Sequence, residues 1–233
     1  MQRYVFKFTI IGKIINQEPL SIGAGKKALV GGIDNPIVRL EGKPYIPGSS
    51  LKGVLRSEAE RYVKTLGNPK FTACNIFTNE ELDTKKKKES KGESYEPCII
   101  CKIFGGPTIS SAVTIYNSIA ENVITETRTC VSISRITGAQ IPRRLYDIEY
   151  VIPNSEFSTR IDIDANRINL EDNSKDETKI LLYLLSRLIR GEIILGGRKS
   201  IGMGRIALKV DKIEKKFIEN GELKIEEVKG ILG

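Results

Sequence analysis

Residues 174–210 read SKDETKILLYLLSRLIRGEIILGGRKSIGMGRIALKV, and this helix–strand–loop–strand succession decides the fold. Apolar residues recur at helical spacing over residues 180–189. Ser174 and Glu177 have the spacing of a capping box, which predicts that the helix begins at this point. Short apolar runs on either side of the glycine-rich loop 196–205 predict two strands.

The first half of the chain repeats this succession. Residues 4–15 alternate in the manner of a buried strand. Ser50 is placed to cap a helix whose apolar residues recur at helical spacing up to Val63. Strand, helix, strands, then strand, helix, strand predict one α+β domain over residues 1–233 with a ferredoxin-like core.

Two segments break this regular pattern. Periodicity is lost over residues 67–106, which contain four consecutive lysines and three of the four cysteines, so we expect an inserted, partly mobile segment. Residues 121–147 are polar, with few apolar anchors, and are expected to project from the core as an extended hairpin or loop.

Composition narrows the possible chemistry. The chain of 233 residues carries 37 Lys and Arg against 29 Asp and Glu, a net charge of +8, and it contains no histidine. Catalytic triads, Cys–His pairs and His-ligated zinc hydrolases are therefore excluded, which leaves carboxylates, Lys, Tyr, Ser or a metal ion. No apolar run is long enough for a signal peptide or a membrane span, so we expect a cytoplasmic protein with reduced cysteines.

The basic charge favours a partner that carries phosphates, although a lysine-rich solvated surface, as in thermophiles, has the same composition. Two segments sharpen the first interpretation. In the glycine-rich loop, Gly197, Arg198 and Lys199 combine close backbone approach with positive charge. A tight turn that uses the glycines only for their backbone conformation is the alternative.

The start of the first helix is the second such segment. Ser49, Ser50 and Lys52 lie together with the free amides of a helix N-terminus, and Arg56 follows one turn later. Ordinary capping by Ser50 is the alternative, but it would require neither Ser49 nor Lys52. Two separate anion cradles indicate an extended nucleic acid rather than one nucleotide.

Asp34 is a lone carboxylate in the glycine-containing loop 31–36. It would either stabilise an Asx turn before Pro36 or act with a divalent metal near a scissile phosphate.

The cysteines suggest a second metal site. Cys98 and Cys101 have CxxC spacing, and Cys74 and Cys130 are the candidates to complete a structural zinc site, with Asp, Glu or water as another possible ligand. Four unconnected thiols are the alternative.

Residues 132–144 mix cations with small and β-branched residues. Such a segment suits either a solvated loop or a finger in which apolar residues wedge between bases while Arg135, Arg143 and Arg144 hold phosphates.

Five segments in order, residues 31–36, 45–56, 98–105, 135–139 and 196–205, resemble the backbone subunit of type III-A (Csm) CRISPR effector complexes. That family belongs to the repeat-associated mysterious protein (RAMP) superfamily. The resemblance covers nearly the whole chain.

The resemblance implies an RRM-like core with a lid, here residues 67–106, and a protruding thumb hairpin, here residues 121–147. It also implies copies that stack into a filament on a CRISPR RNA, beside other Csm subunits, and bind single-stranded target RNA. Each thumb would then displace a nucleotide of the guide–target duplex at regular intervals.

The resemblance also assigns residues. Asp34 would support cleavage of target RNA with a divalent metal such as Mg²⁺, the lid would carry zinc, and Arg135 would belong to the thumb. The guide backbone would be held by Ser49, Ser50, Lys52, Arg56, Gly197 and Arg198.

Family members often have a histidine where this chain has Ser21, so cleavage would depend on Asp34 and metal alone. Two alternatives remain open: a purely structural guide-binding subunit and a guide-processing ribonuclease. The second is disfavoured because such enzymes often use histidine.

Overall fold

The computed structural model describes residues 4–25, 32–75, 78–120 and 122–232. The strands are β1 (Tyr4–Asn16), β2 (Arg39–Leu40), β3 (Lys43–Ile46), β4 (Val113–Ile115), β5 (Ser118–Ala120), β6 (Thr125–Ile133), β7 (Gln140–Val151), β8 (Ser155–Asp164), β9 (Ile193–Ile194), β10 (Arg205–Glu219) and β11 (Glu222–Glu227). The helices are α1 (Gly48–Leu66), α2 (Glu80–Ser90), α3 (Ile99–Phe104) and α4 (Asp176–Ile189).

Within these ranges, nine strands form one antiparallel sheet. Its order is β11-β10-β1-β8-β5-β3-β2, with β4 also paired to β8 and β9 to β10. Strand β1 pairs with β10 along one edge and with β8 along the other. The predicted α+β class is therefore confirmed, with a mainly antiparallel sheet.

Helices α1 and α4 cover one face of this sheet. Phe8, Ile10 and Ile14 of β1 alternate on the buried face, as the period of a strand requires. Each long helix buries an apolar stripe, and the helices meet where the rings of Tyr62 and Tyr183 stack 4.1 Å apart. None of the helices in the described ranges is long and apolar enough to cross a membrane.

Both predicted helix caps are wrong in detail. Helix α1 already begins at Gly48, so Ser50 lies inside its first turn, and the N–H of Gly48 donates instead to Asn117 Oδ1 at 3.0 Å. Helix α4 begins after Lys175, and no side chain caps it. In α1 the side chain that accepts a hydrogen bond at the helix N-terminus is therefore that of Asn117, which is distant in sequence, and not that of Ser50.

Two segments outside the sheet show structure that apolar periodicity did not predict. Residues 67–106 contain α2, which is almost entirely polar, and the short α3. Strands β6 and β7 form a separate two-stranded sheet, to which Leu20 and Asn35 add single bridges at Val151 and Ile148 of β7. The final strand β11 was not predicted either; its side chains are all exposed, although Leu223 and Ile225 alternate with charged residues.

The functional segments are connected at one end of the sheet. Because its neighbours are antiparallel, the last residue of β1, Asn16, lies beside Ser155, the first residue of β8, and Ile206, the second residue of β10. The hairpin β6–β7 precedes β8, and the glycine-rich loop precedes β10. Both therefore reach the loop that follows β1.

Asn16 closes this end of the sheet. Its fully buried side-chain amide donates to the carbonyls of Glu18 (3.0 Å) and Ile152 (2.8 Å), and its Oδ1 accepts the N–H of Ser155 at 3.0 Å. One side chain thus satisfies three backbone groups that the sheet ladder leaves open.

We expect Asn16→Ala to lower the free energy of unfolding by about 1–3 kcal/mol, because the buried N–H of Ser155 would lose its acceptor. Urea unfolding followed by circular dichroism measures this change. The exposed Asn173→Ala provides the control, and equal stability of the two variants would contradict the assigned role of Asn16.

Candidate functional site

Asp34 lies at the base of the β6–β7 hairpin. Its Oδ2 accepts the backbone N–H of Asp147 in β7 at 3.0 Å, and its side chain is otherwise exposed. The next residue, Asn35, forms a parallel bridge with Ile148. The loop that carries the carboxylate is therefore attached to the hairpin as a short extra strand. Gly31 of the quoted motif lies outside the described residues.

Glu149 secures this attachment, and sequence reasoning missed it. Its carboxylate is buried, accepts the N–H of Ile37 at 3.0 Å and pairs with Arg39. Its backbone carbonyl accepts the hydroxyl of Ser21 at 2.9 Å. The only sequence signal was a charged residue within the apolar alternation at the end of β7.

The glycine-rich loop contacts the same region. The N–H of Gly197 donates to the carbonyl of Ser21 at 2.9 Å. Gly196 has φ +87°, and a Cβ there would lie 2.5 Å from that carbonyl, so only glycine fits. The N–H of Gly197 is therefore used to hold the loop, and the prediction that Gly197 holds the guide backbone would depend on the close approach that its missing side chain permits.

The cations of this loop have different neighbours. The guanidinium of Arg198 lies over the ring of Tyr146, 5.3 Å from its centroid, which places it against the hairpin. Lys199 is exposed and lines a groove that also includes Ser49 and Ser50. The groove has a volume of about 660 Å³. The two predicted anion cradles thus meet in one surface.

The charges of this groove are not all available to a ligand. Arg56 donates to the carbonyl of Gly105 at 2.6 Å, to Cys101 Sγ at 3.3 Å and to Glu60 at 2.9 Å. These bonds use three of the five N–H groups of Arg56 and hold its guanidinium against residues 101–105, so its role as a phosphate ligand stays a prediction. Burial, and then the positive charge of Arg56, lowers the pKa of Lys52. An anion bound near Lys52 would relieve this repulsion.

Three cysteines form a compact cluster. The sulfur of Cys74 lies 3.3 Å from that of Cys101 and 3.6 Å from that of Cys98, and the three sulfurs lie within 4.8 Å of one another. A hydrogen bond with Cys101, and then backbone amides, lowers the pKa of Cys98 to about 5. The cluster can therefore present a thiolate to a metal ion.

Cys130 is not part of this cluster. It lies on β6 opposite Tyr146, and its nearest polar partner is the carbonyl of Arg128. The prediction that it completes the metal site is corrected, because the hairpin carries it away from residues 74–101.

The hairpin presents exposed apolar and cationic side chains at its tip. Ile136 is 97% exposed, and Arg135 beside it is also exposed. The pairing shifts between Val131 and Ile133, and Arg143 adopts φ +60°, so residues 141–144 bulge from β7. These features suit insertion between stacked bases more than packing against the core.

Comparison with known proteins identifies relatives. The family model described as the RAMP superfamily matches residues 18–207. Proteins named CRISPR system Cms endoribonuclease Csm3 are 27% identical in Methanothermobacter thermautotrophicus, over 93% of this chain and 89% of the relative, and in Enterococcus italicus, over 89% and 92%. The protein of that name from Methanocaldococcus jannaschii is also 27% identical, over 93% of this chain and 85% of the relative. The resemblance found in the sequence is confirmed.

We expect Glu149→Gln to speed amide hydrogen exchange over residues 34–38 at least about tenfold, because a hydrogen bond to a charged group contributes about 1.5–3 kcal/mol. The exposed Glu126→Gln on β6 is the matched control. Unchanged protection in the Glu149 variant would show that its carboxylate does not hold the loop.

Proposed function

The chain belongs to the RAMP superfamily, and on this premise we propose that it is an RNA-cleaving backbone subunit of a type III-A (Csm) CRISPR effector complex. One observation carries the proposal. The Asp34 loop is attached to the base of an Arg-bearing hairpin, at the sheet end that also carries the basic glycine-rich loop. A carboxylate for cleavage and cations for phosphate binding thus occur together.

The proposed core is ferredoxin-like. The spatial order β10-β1-β8-β4/β5, with α1 between β1 and β4 and α4 between β8 and β10, supports this assignment. We assign residues 67–106 as the lid and residues 121–147 as the thumb of one RRM-like domain. The contact of Arg56 with Gly105 supports a lid that packs on α1.

The guide RNA backbone is assigned to the groove between α1 and the glycine-rich loop. Ser49, Ser50 and Lys199 line it, and Lys52 and Arg198 add charge nearby. Arg56 and Gly197 act here mainly as positioning residues, since the Gly197 N–H and three of the five N–H groups of Arg56 are engaged within the chain. A row of such grooves, one in each stacked copy, would follow an extended strand.

The thumb is assigned to contact the duplex of guide and target RNA. Ile136 would wedge between bases while Arg135 and its neighbours hold phosphates. The assembly would include CRISPR RNA, single-stranded target RNA, further copies of this chain and other Csm subunits, in the cytoplasm.

Cleavage is assigned to Asp34. A single carboxylate suits Mg²⁺, which takes its remaining ligands from water and RNA phosphates and, when bound, polarises the scissile phosphate and activates a water or ribose hydroxyl. The Asp147 amide fixes one oxygen of Asp34 and so orients the other. Cys74, Cys98 and Cys101 offer the sulfur donors that a structural zinc ion prefers.

We expect Asp34→Asn in the assembled complex to reduce cleavage of labelled target RNA at least about 100-fold with Mg²⁺ present, while binding of that RNA is retained. Asp211→Asn, an exposed change on β10, is the control. Cleavage at the same sites and rate in the Asp34 variant would show that Asp34 is not the catalytic residue.

Lys199→Ala should weaken binding of single-stranded RNA to a similar extent for all sequences. It should also reduce the slope of log affinity against log salt by about 0.7, the value for one phosphate contact. A filter-binding series at several salt concentrations measures both quantities, with the exposed Lys175→Ala as control. An unchanged slope would remove Lys199 from the RNA path.

A further inference from the structure

We propose that Glu81 is the fourth protein ligand of the cysteine cluster, so that Cys74, Cys98, Cys101 and Glu81 form a Cys₃Glu site for Zn²⁺. This inference rests on the proposed structural zinc and adds the residue that completes it.

Helix α2 indicates that Glu81 has a special role. The helix reads EELDTKKKKES, and its one buried residue is this glutamate, which is 4% exposed. A surface helix normally docks through apolar side chains, and burial of a lone carboxylate is costly. Ligation of a cation explains why this helix docks through a carboxylate.

Four of the six donor–donor distances are near those of a tetrahedral site, and the Glu81 carboxylate, which lies beside Cys74 and Cys101, would have to approach Cys98 as the ion binds. Glu81 Oε2 accepts the thiols of Cys74 at 3.3 Å and Cys101 at 3.1 Å. Bond lengths of about 2.3 Å to sulfur and 2.1 Å to oxygen give tetrahedral edges of about 3.8 Å between sulfurs and 3.6 Å between sulfur and oxygen. The distances from the Cys74 sulfur to those of Cys101 and Cys98, 3.3 and 3.6 Å, are also close to these values. If the distances between the donor atoms increase by a few tenths of an ångström and the thiols lose their protons, an ion fits at the centre of the site.

The other carboxylate oxygen is fixed by outer partners. Glu81 Oε1 accepts the hydroxyl of Tyr95 at 2.8 Å and that of Thr108 at 2.6 Å. Such outer hydrogen bonds orient a ligating carboxylate so that one oxygen faces the metal. The neighbouring Gly106 is also required, because a Cβ there would lie 2.5 Å from Cys101 Sγ and 2.9 Å from Glu81 Oε2.

The surroundings supply charge balance and access. Three thiolates, one carboxylate and Zn²⁺ carry a net charge of −2, which the guanidinium of Arg56 beside Cys101 partly neutralises. A pocket of about 220 Å³, lined by Cys74, Cys98 and Glu81, opens beside the cluster and provides an entry path. The ion would then join α2 and α3 to the segment that follows α1.

The test uses the purified chain, stripped of metal and titrated with Co²⁺ and then with Zn²⁺ in competition. We expect wild-type protein to bind one equivalent of Co²⁺ with the visible absorption of a tetrahedral sulfur-rich site. Glu81→Gln should weaken Zn²⁺ affinity by at least about 10–100-fold and alter that absorption. Glu80→Gln, the exposed neighbour, and Cys130→Ser should change neither.

Tyr95→Phe provides a second variant if Glu81→Gln does not fold. It keeps all four ligands, so we expect about tenfold weaker Zn²⁺ binding with an unchanged Co²⁺ spectrum. Wild-type affinity in both the Glu81 and the Tyr95 variant would overturn the role of Glu81 while leaving the zinc site intact. Failure of the wild-type chain to bind either ion would overturn the proposed zinc site itself.

Discussion

The pairing of β1 along both of its edges is the constraint on which the rest of the structure depends. Its 13 residues bond to β8 on one side and to β10 on the other. Both neighbours begin where β1 ends, so the segments that lead into them meet the loop that leaves β1. The hairpin, the glycine-rich loop and the Asp34 loop are consequently neighbours, although more than 100 residues separate some of their bonded partners.

The sequence predicts those parts of the fold that local periodicity determines. The apolar repeats of α1 and α4 and the alternation of β1 are visible without any tertiary information. Helix α2 has almost no apolar face, so no periodicity could reveal it, and in β11 the alternation is limited to Leu223 and Ile225. Strand order also lies beyond local signals, since it depends on which distant edges pair.

The sequence identifies candidate site residues by chemical type, but it does not show which of their groups are already used. Arg56 and Gly197 have the expected chemistry, yet the Gly197 N–H and three of the five N–H groups of Arg56 are engaged within the chain. Cys130 is a suitable metal ligand by residue type, but it lies on β6 opposite Tyr146 and not with the other three cysteines. Glu149 and Glu81 were missed because a buried carboxylate becomes informative only when its partners, 112 and 20 residues away, are known.

The bridge between Asn35 and Ile148 lets the hairpin fix a distance. The carboxylate and the hairpin tip belong to one continuous piece of β-structure, so the distance between them is counted in residues of β6 and β7, at about 3.4 Å each. For a subunit of the proposed kind, the interval between a displaced nucleotide and a cut phosphate is then a length built into the protein. The RNA sequence contributes nothing to this measurement, and one stored length serves every guide.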